Sequence, residues 1–257
     1  MKKKWPATFR TLLPIAAVLS VLVLWQLLSP LLPSYILPAP SAIAAAFASQ
    51  FPVMASHASN TLAAALLGLG IALLSALAFA VLMDSVPFFY DLLYPLAVVS
   101  QTIPLIAVAP LFVLWFGFGM APKVLAVILV CFFPMLVNLL KSFQSLDRHY
   151  VEMMRSLGAG RLQIYRHVKL PGALPAFFAG LRIAATYSIM GAVIGEWLGG
   201  SGGLGVYLIR SQKSFAAARV FAAIVMIIGL SAGLFLLVKL AERLALPWMG
   251  EQSAGAE

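Results

Sequence analysis

Apolar residues in this chain fall into six long blocks, at residues 11–28, 61–83, 92–116, 124–140, 176–198 and 220–240. Each approaches or exceeds the roughly 20 residues needed to cross a bilayer. In hydrocarbon every backbone N–H and C=O must bond within the chain, so runs of this kind form helices. The pattern predicts an all-α polytopic membrane protein with six transmembrane helices. Between the fourth and fifth blocks lies the longest polar interval, residues 151–175, with Glu152, Arg155, Arg161, Arg166 and Lys169.

The blocks carry their own punctuation. Ile36-Leu37-Pro38-Ala39-Pro40 is a stiff extended lead-in, and Ser41 is placed to cap a short helix after it. Gly68, Gly70 and Ser75 recur along the second block, where small residues let membrane helices approach closely. The third block contains Pro95, Pro104 and Pro110, and Gln101 and Thr102 stand just before Pro104. Proline frees a carbonyl and kinks a helix. Polar side chains beside such a kink line a path or bridge neighbouring helices, and the pattern leaves both open. Asn138 and Tyr187, in the fourth and fifth blocks, complete the candidate path. Arg182 is expected to snorkel to the inner interface, and Glu196 is expected at the outer one. Residues 199–205, rich in glycine, read as a flexible outer stretch; they lack the Lys-Ser/Thr ending of a phosphate-binding loop. His57, in the outer segment, reads as a surface or packing residue.

The polar interval has helical logic. Asp147 is placed to cap a helix beginning at Arg148. Tyr150, Met153, Met154 and Leu157 then share one face, and Gly158 stands where the helix ends. A second piece, residues 161–168, presents Leu162, Tyr165 and Val168, and Leu170-Pro171 and Pro175 are expected to break it. An exposed apolar face on such a loop packs on its own spans, lies in the membrane interface, or fills a groove on a partner.

Composition agrees with the pattern: 63% of residues are hydrophobic and 10% charged, far from a soluble chain. The formal charge of +9 is not a nucleic-acid signature, because the cations sit at the ends and in one loop. With both termini inside, Lys2, Lys3, Lys4, Arg10, Lys141, Arg148, Lys239, Arg243 and the cations of the central interval are cytoplasmic, against Lys123, Arg210, Lys213 and Arg219 outside. That asymmetry predicts cytoplasmic termini and a cytoplasmic central loop. The first block is longer than a signal-peptide core and is expected to remain as a span. Cys131, the one cysteine, reads as a small buried hydrophobe. No metal-ligand spacing, nucleotide motif or paired intramembrane catalytic group occurs, so no metal, cofactor or catalytic residue is expected. A secondary transporter working without an ATPase is the alternative, though intramembrane ionisable groups are few and no internal repeat is visible.

Glu152-Met153-Met154, Gly158, Val168, Leu170 and Pro171 resemble the signature loop of permease subunits of ATP-binding-cassette importers. That signature runs Glu-Ala-Ala, three residues, Gly, nine residues, Ile-x-Leu-Pro; here Met153 and Met154 replace the alanines and Val168 the isoleucine. Residues 36–41, Pro104-Leu105, Ala109-Pro110-Leu111, residues 114–117, and Glu196 with Gly203-Leu204-Gly205 are similar to the subfamily that imports nitrate, taurine, alkanesulfonates and thiamine pyrimidine precursors. The resemblance implies a type I importer permease in the cell membrane: residues 1–55 as tail, first span and outer segment, 56–240 as a five-helix core with coupling loop 142–175, and 241–257 as a cytoplasmic tail. It also implies a homodimer of this chain, cytoplasmic ATP-binding subunits seated on the loop, and an extracytoplasmic solute-binding protein.

Overall fold

The computed structural model describes residues 7–247. Lys2, Lys3, Lys4 and the end of the tail lie outside the described residues, as do the side chains of Arg10 and Arg148. Among the described residues the chain is helical, with no strand. In order come α1 (Ala7–Leu28), a 3₁₀ turn (Ser29–Leu31), α2 (Pro40–Ser85), α3 (Pro87–Ser100), α4 (Leu105–Phe116), α5 (Met120–Ser145), α6 (Arg148–Ser156), α7 (Arg161–Ile164), a π turn (Tyr165–Lys169), α8 (Leu170–Gly199), α9 (Leu204–Lys213) and α10 (Ala217–Ala245). Five segments are long and apolar enough to cross a membrane, and α3 with α4 supplies a sixth as a span broken by 105°.

Three boundaries differ from expectation. The short helix after Ser41 and the second span are one helix of 46 residues. Ser56-His57-Ala58-Ser59-Asn60 lowers the hydropathy there but holds no Gly or Pro, and Pro52 just before it is carried within the helix. Ser41 is not the cap, since Pro40 already begins the helix. The third span is not a kinked rod. Pro104 sits before α4 with extended ψ (119°), so the backbone turns a corner at Gln101–Pro104. Leu170-Pro171 does not break the chain either. The π turn, with Leu170 N–H donating to Tyr165 O, leads straight into α8. Widening the helix accommodates a proline that can neither donate nor tolerate a tight preceding turn.

The chain forms two compact units. One comprises residues 1–56 and 207–226. In it the Gln26 side chain accepts from Ser41 N and donates to Ser41 Oγ, each at 3.1 Å. This satisfies one of the free N–H groups at the start of α2. Trp25 packs on Phe221, ring centroids 5.6 Å apart.

The other unit comprises residues 57–206 and 227–257. Its core is made of small residues: Ala65, Ala72, Ala76 and Ala80 from α2 and Ala184, Ala185 and Ala192 from α8 surround Val127, Cys131, Met135 and Leu139 of α5. Leu234 and Val238 of α10 close it. Cys131 is buried there, Sγ 3.2 Å from Ala184 O. The closest approach is α8 on α5. A Cβ at Gly195 would stand 2.8 Å from Lys123 Cα, and one at Gly191 3.1 Å from Val127 Cα. Gly68 similarly admits Val127, whereas Gly70 faces open space. Lipid tails offer no hydrophobic drive to pair spans, so such backbone contact supplies the cohesion.

Gly195→Val is therefore expected to destabilise the detergent-purified chain by about 1–3 kcal/mol, because backbone must shift. Gly70→Ala should leave thermal unfolding unchanged within error. Melting curves of the two variants beside the parent check this.

Candidate functional site

The central loop folds as its sequence suggests at its start. Asp147 Oδ1 accepts from His149 N at 2.9 Å and caps α6. The helix ends in a Schellman turn: Ala159 N–H donates to Met154 O (3.0 Å) and Gly158 N–H to Arg155 O (2.9 Å). Gly158 has φ +82°, and a Cβ there would meet nothing within 4 Å. Glycine is needed for the left-handed backbone, not for space. Gln163 Oε1 then accepts from Gly160 N–H at 2.8 Å and starts α7.

The loop leaves an apolar ridge uncovered. Tyr150, Met153 and Leu157 are exposed, Leu157 at 76%, while Met154 of the expected face is half-buried. Leu162 is 81% exposed, but Tyr165 turns inward and Ile164 is buried, so residues 161–168 do not present a single outward face. Val168 is half-buried, and Leu170 and Pro171 remain exposed. Glu152 is exposed and lines a polar cavity of about 390 Å³ with Asp84, Gln144, Arg155 and Lys169. Tyr165 Oη and Lys169 Nζ both donate to Asp84 Oδ2, and Lys169 Nζ lies 5.0 Å from the Tyr165 ring centre. Arg182, expected to snorkel, instead pairs with Glu242 of α10.

Of the candidate path residues, Gln101 and Tyr187 meet. They line a cavity of about 340 Å³ with Phe133, Pro134 and Met190, and among the described residues no ionisable side chain other than the Tyr187 phenol faces it. Thr102 and Asn138 do not line it. Thr102 Oγ1 donates to Val99 O (2.7 Å), and Asn138 Nδ2 to Pro134 O (2.9 Å), one turn back in α5.

The end of the spans away from the central loop holds a polar cluster. Glu196 is buried within the protein, only 1% exposed. Its carboxylate lies 2.9 and 3.1 Å from Thr61 Oγ1, accepts from Gly205 N–H at 2.8 Å, and has Lys123 Nζ at 3.7 Å. Lys123, itself buried, donates to Gly202 O at 2.5 Å. Leu204 N–H donates to Thr61 Oγ1 (2.8 Å) and Gly203 N–H to His57 Nδ1 (3.0 Å), which puts the His57 ring proton on Nε2. Residues 199–205 are thus pinned rather than flexible. A buried carboxylate needs such partners, and they come from the side chains of Thr61 and Lys123 and the Gly205 N–H. A Cβ at Gly203, where φ is +124°, would stand 2.0 Å from the Glu196 carboxyl.

Residues 64–246 match the family described as binding-protein-dependent transport system inner membrane component. The chain belongs to that family. It is the multi-pass, membrane-spanning permease of an ATP-driven importer, working with a solute-binding protein and with a separate subunit that hydrolyses ATP. The reading as a secondary transporter without an ATPase falls with this. The permease is 34% identical to the formylaminopyrimidine transport permease protein ThiX of Halalkalibacterium halodurans, over 95% of this chain and 99% of that one. It is 36% identical to the riboflavin transport system permease protein RibX of Chloroflexus aurantiacus (95% and 91%) and 30% to the taurine transport system permease protein TauC of Escherichia coli (98% and 94%). Its fold is shared with a chain of the MetNI methionine ABC transporter, with a TM-score of 0.67, 18% identity, and 77% and 98% of the two chains covered.

Sequence reasoning missed Asp84, Thr61 and Lys123. Each sits beside a break in hydropathy and reads as a terminus marker. The available signal was their company: a carboxylate near the C-terminal end of α2 followed by a cationic loop, and a lone Glu196 that needed a cation.

Glu196→Ala strands Lys123 in the interior, and a loss on the order of 3 kcal/mol is expected. Pairing Glu196→Gln with Lys123→Met should recover most of it. Thermal unfolding of the three chains in detergent reads the difference.

Proposed function

We propose that the loop of residues 142–175 is where the ATP-binding subunit docks, through Glu152, Met153, Met154, Gly158, Val168, Leu170 and Pro171. The observation that carries this is the uncovered ridge of Tyr150, Met153 and Leu157, ending on the left-handed turn at Gly158. A short amphipathic helix with bare apolar side chains suits a groove on a partner, and the polar cavity beneath it leaves room for movement. In this reading two copies of the chain pair around the path, both termini lie in the cytoplasm, and residues 56–240 form the permease core. ATP-driven closure of the ATPase pair moves the loops and, with them, the spans.

The substrate we propose is a small, planar, uncharged heterocycle of the pyrimidine class rather than a sulfonate. Gln101 offers both a donor and an acceptor, and Tyr187 and Phe133 offer ring faces. Among the described residues no cation lines the cavity to meet a sulfonate. The relatives named for formylaminopyrimidine and riboflavin, both carrying heterocycles, agree with this choice. Thr102 and Asn138, each tied to its own helix, are assigned no contact with it.

Two measurements test these readings. Gly158→Val should lose at least 10-fold in co-purification with the ATP-binding subunit while inserting normally in the membrane; Gly158→Asn, which tolerates the left-handed region, should keep it. Equal co-purification of the valine variant would overturn the docking assignment. In cells expressing the complete transporter, labelled formylaminopyrimidine should accumulate and labelled taurine should not. Tyr187→Ala with Gln101→Ala should reduce that uptake more than 10-fold; taurine uptake without pyrimidine uptake would reverse the substrate assignment.

A further inference from the structure

Within the unit of residues 57–206 and 227–257, α2 is gripped near both ends by polar side chains. At the inner end, one oxygen of Asp84 accepts from Lys169 and Tyr165, and Ser85 Oγ lies 2.9 Å from the same tyrosine hydroxyl. At the outer end, His57 and Thr61 take the N–H groups of Gly203 and Leu204, and Thr61 also meets Glu196. No glycine lying against open space except Gly70, and no proline, stands between these grips. The interval from His57 to Ser85 spans about 40 Å at the rise of an α-helix.

The two grips differ in kind from the contacts between them. The middle of α2 buries Ala64, Ala65, Ala72, Ala76 and Ala80, and such apolar contact is non-directional, so helices can slide or roll on it. A hydrogen-bonded ion pair fixes register. The Lys169 and Asp84 side chains are 18% and 11% exposed, sheltered enough to be screened weakly. Tyr165 is held from a second side, its ring edge-to-face with Phe143 of α5 at 6.1 Å. Both Tyr165 and Lys169 belong to the π turn that joins the loop to α8. π turns of this kind recur at functional positions.

We infer that Asp84 is a positioning residue for coupling: through Lys169 and Tyr165 it fastens the ATPase-facing loop to α2, and α2, gripped by Thr61 and His57, delivers the loop's displacement to residues 199–205 at the outer end. This rests on the docking role proposed above for the loop. Without the inner grip, the loop moves without carrying α2 and ATP closure is spent locally. Without the outer grip, α2 moves and the outer loop does not follow.

The test uses the complete permease with its co-purifying ATP-binding subunit. Cys131→Ala removes the native thiol, and Ser201→Cys, in the outer loop and exposed, takes a spin label. The distance between labels on paired copies is measured by double electron–electron resonance, nucleotide-free and trapped with MgATP and vanadate. The parent should shift on trapping. Asp84→Asn should lose the shift while the subunit still co-purifies and hydrolyses ATP; Asp84→Glu should keep it, and Asp84→Lys with Lys169→Asp should restore it. An Asp84→Asn complex that shifts as the parent does overturns the inference. If that variant does not assemble, Tyr165→Phe with Ser85→Ala, which loosens the grip and leaves the ion pair, should at least halve the shift; a full shift there overturns it equally. A parent that binds the subunit yet shows no shift removes the coupling reading itself, and the positioning role with it.

Discussion

Cohesion in this protein depends on how closely α8 can lie against α5. Two apolar helices in lipid gain little by exchanging tail contacts for each other, so what holds them is direct packing at short range. Gly191 and Gly195, one turn apart, remove the side chains that would keep the helices separate, and Ala126 and Val127 receive the exposed backbone. Around that seam the core is alanine-rich on the α2 and α8 sides and bulky on α5. The large residues fill the grooves that the small ones leave, which gives dense packing without long flexible side chains.

The polar residues are scarce, and the described ion pairs are placed where they join different helices. Lys123 with Glu196 ties α5 to α8, Asp84 with Lys169 ties α2 to the loop, and Arg182 with Glu242 ties α8 to α10. Each removes a charge that would be costly near hydrocarbon and sets a relative register that apolar packing leaves loose. A backbone group at one break is met similarly: Gly119 N–H donates to Gly199 O.

The membrane class, the span count and the loop's first helix were legible in the sequence because they rest on local facts. Block length tells of a bilayer, Asp147 tells of a cap, and Gly158 tells of a left-handed end. What was not legible depends on distant pairs. The burial of Glu196 could not be read because its partners, Thr61 and Gly205, are separated from it by 135 and 9 positions. The join at residues 56–61 was misread because hydropathy measures solvent preference, not helical continuity. Pro104 was correctly seen as disruptive, but whether a proline bends a helix or turns a corner depends on neighbours that re-satisfy its freed carbonyls. Leu170-Pro171 looked like a stop for the same reason.

The π turn at Tyr165–Lys169 also acts as a phase setter. An α-helix turns about 100° per residue, so one residue more or fewer rotates everything beyond it by that angle. The wider turn absorbs one residue between the loop and α8. It thereby lets Tyr165 and Lys169 face α2 while Gly191 and Gly195, further along the same continuous helix, face α5. A single-residue deletion in this stretch would not simply shorten a loop. It would swing either the ion pair or the glycine seam off its partner, so chain length between Gly160 and Gly191 is as strictly specified as any side chain in the protein.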